Sequence, residues 1–308
     1  MAQQSDTYAA GTAAAPESSE LSAMGQAVRG LRLFCKRSPL SAFWGMIALV
    51  IVFIAFLAPV IAPFDPLKAN FRRMTKPPSA EHTNYFGTDQ IGRDTLSRVI
   101  HGSRSSLFIS ILAVLIGTTG GSLWGLASGY IGGLFDIVSQ RIIEFLQAFP
   151  DLILAMAIAM AFGTGTWTVI VAIAVTRISF GGRVIRSVTL SLKEIAYVEA
   201  GRAIGASTLR IMARHILPQC VAPFLILATT HLGAAIIIEA SLGFLGVGIP
   251  PPTPTWGNML AESLNSGLIP PWWLVVFPGL AITITVLAFN LFGDGIRDAL
   301  DPRLRGSR

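Results

Sequence analysis

Two ionisable side chains, His231 and Glu239, stand inside a long apolar run of this 308-residue chain, eight positions apart. On a helix that spacing puts them within about 80° on one face and about 12 Å along it. An ionisable group in such a run faces an interior path or a partner on a neighbouring helix. The pair is therefore a candidate for handling a solute along a translocation path. A hydrogen bond from Glu239 to a neighbouring helix near the outer surface fits the same residues. Little else is equipped for chemistry. His82 and His101 are scattered and do not form a metal set at ligand spacing. The two cysteines, Cys35 and Cys220, make neither a disulfide framework nor a metal site. No Gly-Lys-Ser/Thr follows any glycine-rich turn, so a phosphate loop is absent from the sequence. No nucleophile–base pair stands out.

The elements that hold these residues follow from composition. The chain is 52% hydrophobic and 13% charged, with a mean hydropathy of +0.62. A soluble domain carries about 25% charge, and a disordered chain needs the opposite balance. Both classes are excluded, which leaves an all-α, multi-span membrane protein. At about 20 apolar residues per span, five to seven helices fit. The net charge of +6 is then a statement about orientation rather than about nucleic acid.

Residues 1–40 read as an N-terminal tail, its first 28 residues rich in Ala, Ser, Thr and Gln. The first span runs over 41–62 and is stopped by Pro63 and Pro66. A second runs over 107–129, where Gly117, Gly121, Gly125 and Gly129 recur every four residues. Such a stripe lets a neighbouring helix approach closely, the way helices associate in lipid. The run 152–176 carries no charge and is broken by Gly163-Thr164-Gly165-Thr166. With a turn there, helix three covers about 134–162 and helix four about 167–188. Both then carry charges that need partners: Asp136, Arg141, Glu144 and Asp151 on one, Arg177, Arg183 and Arg186 on the other. Span five covers about 221–245 and span six about 272–292, with Trp272-Trp273 suited to the membrane interface.

Basic residues cluster before span one (Arg29, Arg32, Lys36, Arg37), between spans four and five, and in the C-terminal tail (Arg297, Arg303, Arg305, Arg308), whereas 246–271 has none. Both termini and the 187–219 segment are thus expected in the cytoplasm, and an even number of spans, six, follows. One segment disagrees. The connection 63–104 must be external, yet it holds Lys68, Arg72, Arg73, Lys76, Arg93, Arg98 and Arg104 against Asp65, Glu81, Asp89 and Asp94.

The stretch EAGRAIGASTLRIMARHILP, Glu199 to Pro218, reads as two short helices joined at Gly205 and stopped by Pro218. Ile204, Leu209 and Ile211 are expected to be semi-exposed there. Such a loop fits either a partner protein or a helix lying on the membrane. In FGTDQIGRDTLSR, from Phe86, Gly87-Thr88-Asp89 makes a turn, Gly92 and Arg93 follow, and Asp94 caps a helix. Leu96, Val99 and Ile100 would share that helix's apolar face at the outer interface, leaving Arg93 and Arg98 to bind lipid headgroups. Scaffolding and contact with an external protein are both open to this segment.

Glu199-Ala200-Gly201, then Gly205, Arg210 and Ile216-Leu217-Pro218, resembles the EAA loop of bacterial ABC-importer permeases, with Gly201 where Ala is usual. The Phe86 motif, EASLGFLGVG from Glu239, PPTPTWGNML from Pro251 and FNLFGDGIRDALDPRL from Phe289 resemble the OppC/DppC-type subunits of the dipeptide, oligopeptide and nickel importers. The likeness covers about residues 36–305. It implies the type I importer permease fold with six transmembrane helices and both termini inside. Residues 41–104 would be the first span and its external segment, 105–300 the core permease with the coupling loop at about 190–219, and 301–308 a cytoplasmic tail. The resemblance further implies a second homologous permease as heterodimer partner, two cytoplasmic ATP-binding subunits holding ATP and Mg, and a periplasmic or lipid-anchored substrate-binding protein. No cofactor, metal or catalytic residue is expected in this chain. Peptides are the expected cargo, with nickel, glutathione or another small solute as alternatives.

Two other classes compete. A secondary transporter would need internal repeats and paired intramembrane carboxylates, and a membrane enzyme would need a catalytic cluster. Neither pattern is in the sequence.

Overall fold

The structure, a computed structural model, describes Gly25, Arg32 and residues 34–80, 83–265 and 269–300. Residues 1–24, 26–31 and 33 of the N-terminal tail, with Arg29 among them, together with Glu81, His82, 266–268 and the C-terminal tail from 301, lie outside the described residues.

Helix α1 spans Pro39–Phe56 and a single turn, α2, follows over Ala58–Ile61. An extended segment with one 3₁₀ turn, Phe71–Arg73, leads to α3, Thr95–Ile131. Helices α4 (Gly133–Gln147) and α5 (Asp151–Phe162) precede α6, Thr166–Leu192. Two short helices, α7 (Ala196–Ala203) and α8 (Thr208–Ile211), lead through a π turn at Met212–Ile216 into α9, Leu217–Phe244. The short α10 (Trp256–Leu264) and the long α11 (Trp272–Leu300) complete the described chain. Five helices are long and apolar enough to cross a membrane, and six spans result when the bent α4–α5 pair counts as one.

Several boundaries differ from the sequence reading. Span one does not run to Pro63: α1 ends at Phe56, because Pro59 starts the separate turn α2, and span six runs past 292 to Leu300. The interfacial helix and span two are one 37-residue helix, α3, because no proline interrupts 95–131. At 1.5 Å per residue it is about 55 Å long, well beyond the hydrocarbon core, so its first turns project past the membrane. Helix three is not one rod: α4 and α5 meet at 92°. Pro150 is the reason, since it cannot donate to the helix ladder and pushes Phe149 away from helical backbone. Pro218 does not stop a helix but starts one. It sits in the first turn of α9, directly after the π turn at Met212–Ile216, and the helical stretch as a whole covers Thr208–Phe244.

The glycine stripe sets the centre of the bundle. A Cβ added at Gly117, Gly121 or Gly125 would come within 2.5, 2.2 and 2.2 Å of the carbonyl oxygens of Ala174, Ile178 and Gly182 on α6. Backbone therefore packs on backbone along α3 and α6, with Gly129 closing the row against Arg186 and Thr189. Ile109, Val114, Ile173, Ala235 and Leu242 form the main apolar core between α3, α6 and α9.

Six of the seven charges carried by the middle helices are paired; Arg183 is exposed instead. Arg186 binds both carboxylate oxygens of Asp136, at 2.6 and 2.5 Å, joining α6 to α4. Arg177, 3% exposed, pairs with Asp151 at the start of α5 and lies over the Phe180 ring. Arg141 and Glu144 pair at 2.8 Å on an exposed face.

Candidate functional site

The bundle has two differentiated ends. One carries residues 193–216, the loop end; the other carries 62–94 and 246–271, the cap end.

At the loop end, α7 closes with both hydrogen bonds of a Schellman turn. The amide of Gly205 donates to the Arg202 carbonyl at 2.9 Å and that of Ala206 to the Gly201 carbonyl at 3.0 Å. This turn needs a left-handed residue, which Gly205 supplies at φ +81°. Ser207 then caps α8 by accepting the Arg210 N–H at 3.4 Å. Val198, Ile211 and Ile216 point inward and pack with Leu126, Ile185 and Cys220. Ile211 is 1% exposed, contrary to the sequence expectation, because it lies on the face of α8 that closes over α3 and α6. The opposite face is unpartnered: Ile204 is 85% and Leu209 74% exposed. Glu199, Ala200, Arg210 and Pro218 are exposed and Leu217 is 39% exposed, while Gly201 is buried. A Cβ at Gly201 would find its nearest neighbour, Ile211, at 4.0 Å, so the alanine usual at this position fits. Arg202 lies over the Tyr130 ring at 5.3 Å, and its contact with the Tyr130 hydroxyl pushes the guanidinium pKa up.

At the cap end the motif from Phe86 folds back on itself. Gly87 and Gly92 have φ of +75° and +80°, and a Cβ at Gly92 would collide with the Asn70 carbonyl. Asp94 caps α3, accepting from Ser97 N at 2.8 Å and from Asn84 Nδ2 at 2.8 Å. Thr88 accepts the Lys76 N–H at 2.9 Å, and its carbonyl accepts the Trp273 indole N–H at 3.2 Å. Asp89 accepts the Arg93 amide at 2.8 Å and Arg93 Nε at 2.5 Å. Glu262 on α10 completes a four-charge lattice, with Oε2 at 2.7 Å from Arg93 Nη2 and 2.8 Å from Arg98 Nη2.

Arg93 and Arg98 are therefore not presented to lipid headgroups. They are 8% and 1% exposed and lie against two carboxylates. The inward face of the first turns of α3 is the polar one, Thr95, Ser97 and Arg98, because Asp89 and Glu262 wait there. Sequence reasoning missed Glu262. Its signal was available: it is the lone charged residue of 246–271, opposite an external segment with excess basic charge.

Residues 121–306 match the family described as binding-protein-dependent transport system inner membrane component. The chain belongs to this family. It is 40% identical over 288 residues to the dipeptide transport system permease protein DppC of Haemophilus influenzae, covering 88% of this chain and 97% of that one. The di/tripeptide transport system permease protein DppC of Pseudomonas aeruginosa is 41% identical over 88% of this chain and 94% of its own length. The glutathione transport system permease protein GsiD of Pectobacterium atrosepticum is 40% identical over 87% and 93%. Membership brings the type I ABC-importer permease fold, with its six membrane helices. The chain is a transport permease and a multi-pass membrane protein of the OppC/DppC type.

Within this permease, His231 and Glu239 are both enclosed. His231 is 7% exposed, with Nδ1 3.1 Å from Thr118 Oγ1 and Phe180 edge-on at 6.0 Å. Glu239, 2% exposed, faces the hydroxyls of Ser106 and Thr255. Each of those hydroxyls accepts a backbone N–H, from Trp256 and Asn258, and keeps its own proton for the carboxyl group. Glu239 Oε2 has no hydrogen-bond partner among the described residues. Neither residue borders the two cap-end cavities, of about 80 and 540 Å³. Among the described residues, no three His, Cys, Asp or Glu side chains come together as a metal site.

Proposed function

We propose that this chain is one of two homologous permease subunits in an ATP-driven importer of peptides in the bacterial cytoplasmic membrane. Two cytoplasmic subunits bind ATP and Mg and hydrolyse the nucleotide. A periplasmic or lipid-anchored protein delivers the solute. This chain does no chemistry itself. The observation that carries the reading is the loop at 196–211, held to the bundle by Val198 and Ile211 and presenting Ile204 and Leu209 outward.

In this reading the loop end is cytoplasmic and seats in the ATPase. Closure of the ATPases on ATP displaces α7 and α8, and the motion passes along the helical stretch into α9. A partner shifts such an equilibrium only by binding one state more tightly. The basic residues near the loop, Lys193, Arg202, Arg210 and Arg214, support a cytoplasmic side. The cap end's basic excess is offset where Asp89 and Glu262 meet Arg93 and Arg98. Peptides are the cargo by likeness to relatives whose names carry dipeptide, di/tripeptide and glutathione.

The test is purification through a tag on this chain. Soluble ATPase subunits should co-purify, and vesicles holding the complex should take up peptide only with ATP and the binding protein. Uptake driven by an ion gradient without ATPase subunits would overturn the reading.

A further inference from the structure

The larger cap-end cavity, about 540 Å³, is a groove between the outer turns of α3 and the connections at 66–67 and 249–254, with Thr166 at one side. That volume lies in the range of small-molecule sites. Four of its wall residues, His101, Arg104, Ser105 and Phe108, fall at successive one-turn spacings on α3 and so share one face.

The charge in this groove is one-sided. Arg104 borders it, together with His101 and the hydroxyls of Ser105, Thr166 and Thr253, and among the described residues no acidic side chain does. Arg104 is exposed and has no ion-pair partner among the described residues. Asp65, next to the wall at Pro66, turns its carboxylate back to the Leu67 N–H at 2.8 Å. The contrast with the neighbouring lattice is direct, because Arg93 and Arg98 meet two carboxylates there. His101 Nδ1 lies 3.0 Å from the Ser97 carbonyl, which only accepts, so Nδ1 carries a proton and, in the neutral ring, Nε2 is an acceptor suited to a ligand N–H rather than to its carboxylate. An apolar floor, Phe108 and Ile109, lies one turn below these polar groups.

We propose that this groove is an oxyanion subsite at the outer mouth of the permease, in which Arg104, with the hydroxyls of Ser105, Thr166 and Thr253 in the same groove, receives the free carboxylate of an incoming solute. The proposal rests on the peptide-import reading and narrows it to solutes bearing an acid terminus. A guanidinium matches a carboxylate in a two-point geometry, and the same group also accepts a lipid phosphate. The groove is walled by the outer turns of α3, the first residue of α6 and the connections at 66–67 and 249–254, all at the cap end, which favours a solute arriving from outside.

The test uses the assembled complex in vesicles of phosphatidylcholine, with its binding protein saturated. Uptake of a dipeptide is compared with that of its C-terminal amide, in the parent and in Arg104→Gln and Arg104→Lys variants. Arg104→Gln should lower uptake of the free acid about tenfold and leave the amide within about twofold. Arg104→Lys, which keeps the charge but not the two-point geometry, should recover only part of the loss. Because both peptides meet the same binding protein, its own preference cancels when each variant is divided by the parent. ATP hydrolysis stimulated by the loaded binding protein should persist in every variant. An equal loss for acid and amide, or no loss, overturns the subsite. The same holds if the defect appears only after phosphatidylglycerol is added and is equal for both peptides, since the anion is then a lipid headgroup. A parent complex that imports neither peptide removes the peptide reading and the subsite with it; parent uptake without the acid–amide split removes the subsite alone.

Discussion

Arg98 Nη2 lies 2.8 Å from Glu262 Oε2, although the two residues are 164 positions apart in the chain. This contact ties the first turns of α3 to α10, and Arg93 binds the same oxygen from the external segment. Two stretches that are distant in sequence, 93–98 and 262, therefore meet at one carboxylate.

Removing that carboxylate should be costly. Glu262→Ala leaves Arg98 buried without its principal partner, and loss of one member of a buried pair costs about 3–5 kcal/mol. Thermal unfolding of the purified complex in detergent should show a clear drop in midpoint. The double variant Arg98→Met with Glu262→Leu should lose less than the single one. A single variant as stable as the parent would remove the lattice from the list of stabilising contacts.

Adjacent glycines on α3 should behave oppositely. At Gly121 a methyl group meets the Ile178 carbonyl oxygen at 2.2 Å, whereas at Gly120 the nearest atom is an Ile178 side-chain carbon at 3.8 Å. Gly121→Ala forces α3 and α6 apart and should destabilise by at least about 1–3 kcal/mol. Gly120→Ala should be neutral or stabilising by up to about 1 kcal/mol through helix propensity. Paired melting curves check the difference.

Gly201→Ala should stabilise the loop. The site has room for the methyl, with Ile211 at 4.0 Å, and the helix gains about 0.5–1 kcal/mol when Gly gives way to Ala. Slower hydrogen exchange at the amides of α7 is the readout.

Ile204→Asp and Leu209→Asp should leave the fold intact, because both side chains are already exposed. Co-purification of the ATPase subunits should fall sharply in either variant. Gly205→Trp should go further and separate ATP hydrolysis from uptake. Its side chain has open space, with no atom within 4 Å, yet its φ of +81° penalises any residue with a Cβ. Undiminished uptake in that variant would argue against a coupling role for the loop.

Much of this arrangement is legible in the sequence, for identifiable reasons. The glycine stripe at 117–129 has a strict four-residue period, so its packing face follows from helix geometry alone. Gly205 and the flanking helices are equally local, since a Schellman turn is encoded within a few residues. The 92° bend was less visible. Pro150 marks a break, but the angle is set by how α5 packs on α6. The cap-end lattice was misread because periodicity sorts residues by polarity, not by partner. Leu96 and Val99 look like a buried face and Arg98 an exposed one, until Glu262 arrives from another part of the chain. Charges at Asp136 and Arg186 announced that partners were needed without saying which.

The π turn at Met212–Ile216 sits within a helix that otherwise runs from Thr208 to Phe244. A helix of 37 residues is a rod about 55 Å long, and such a rod is stiff along its axis. A displacement applied at Leu209 reaches Gly243 undiminished unless something along the rod yields. The widened turn, where hydrogen bonds skip one residue further, is the compliant link, with Pro223 a second interruption two turns on. If the loop couples to a partner as proposed, the stroke reaching the far end of the bundle would be set by the stiffness of these two places, and tightening the π turn would lengthen it.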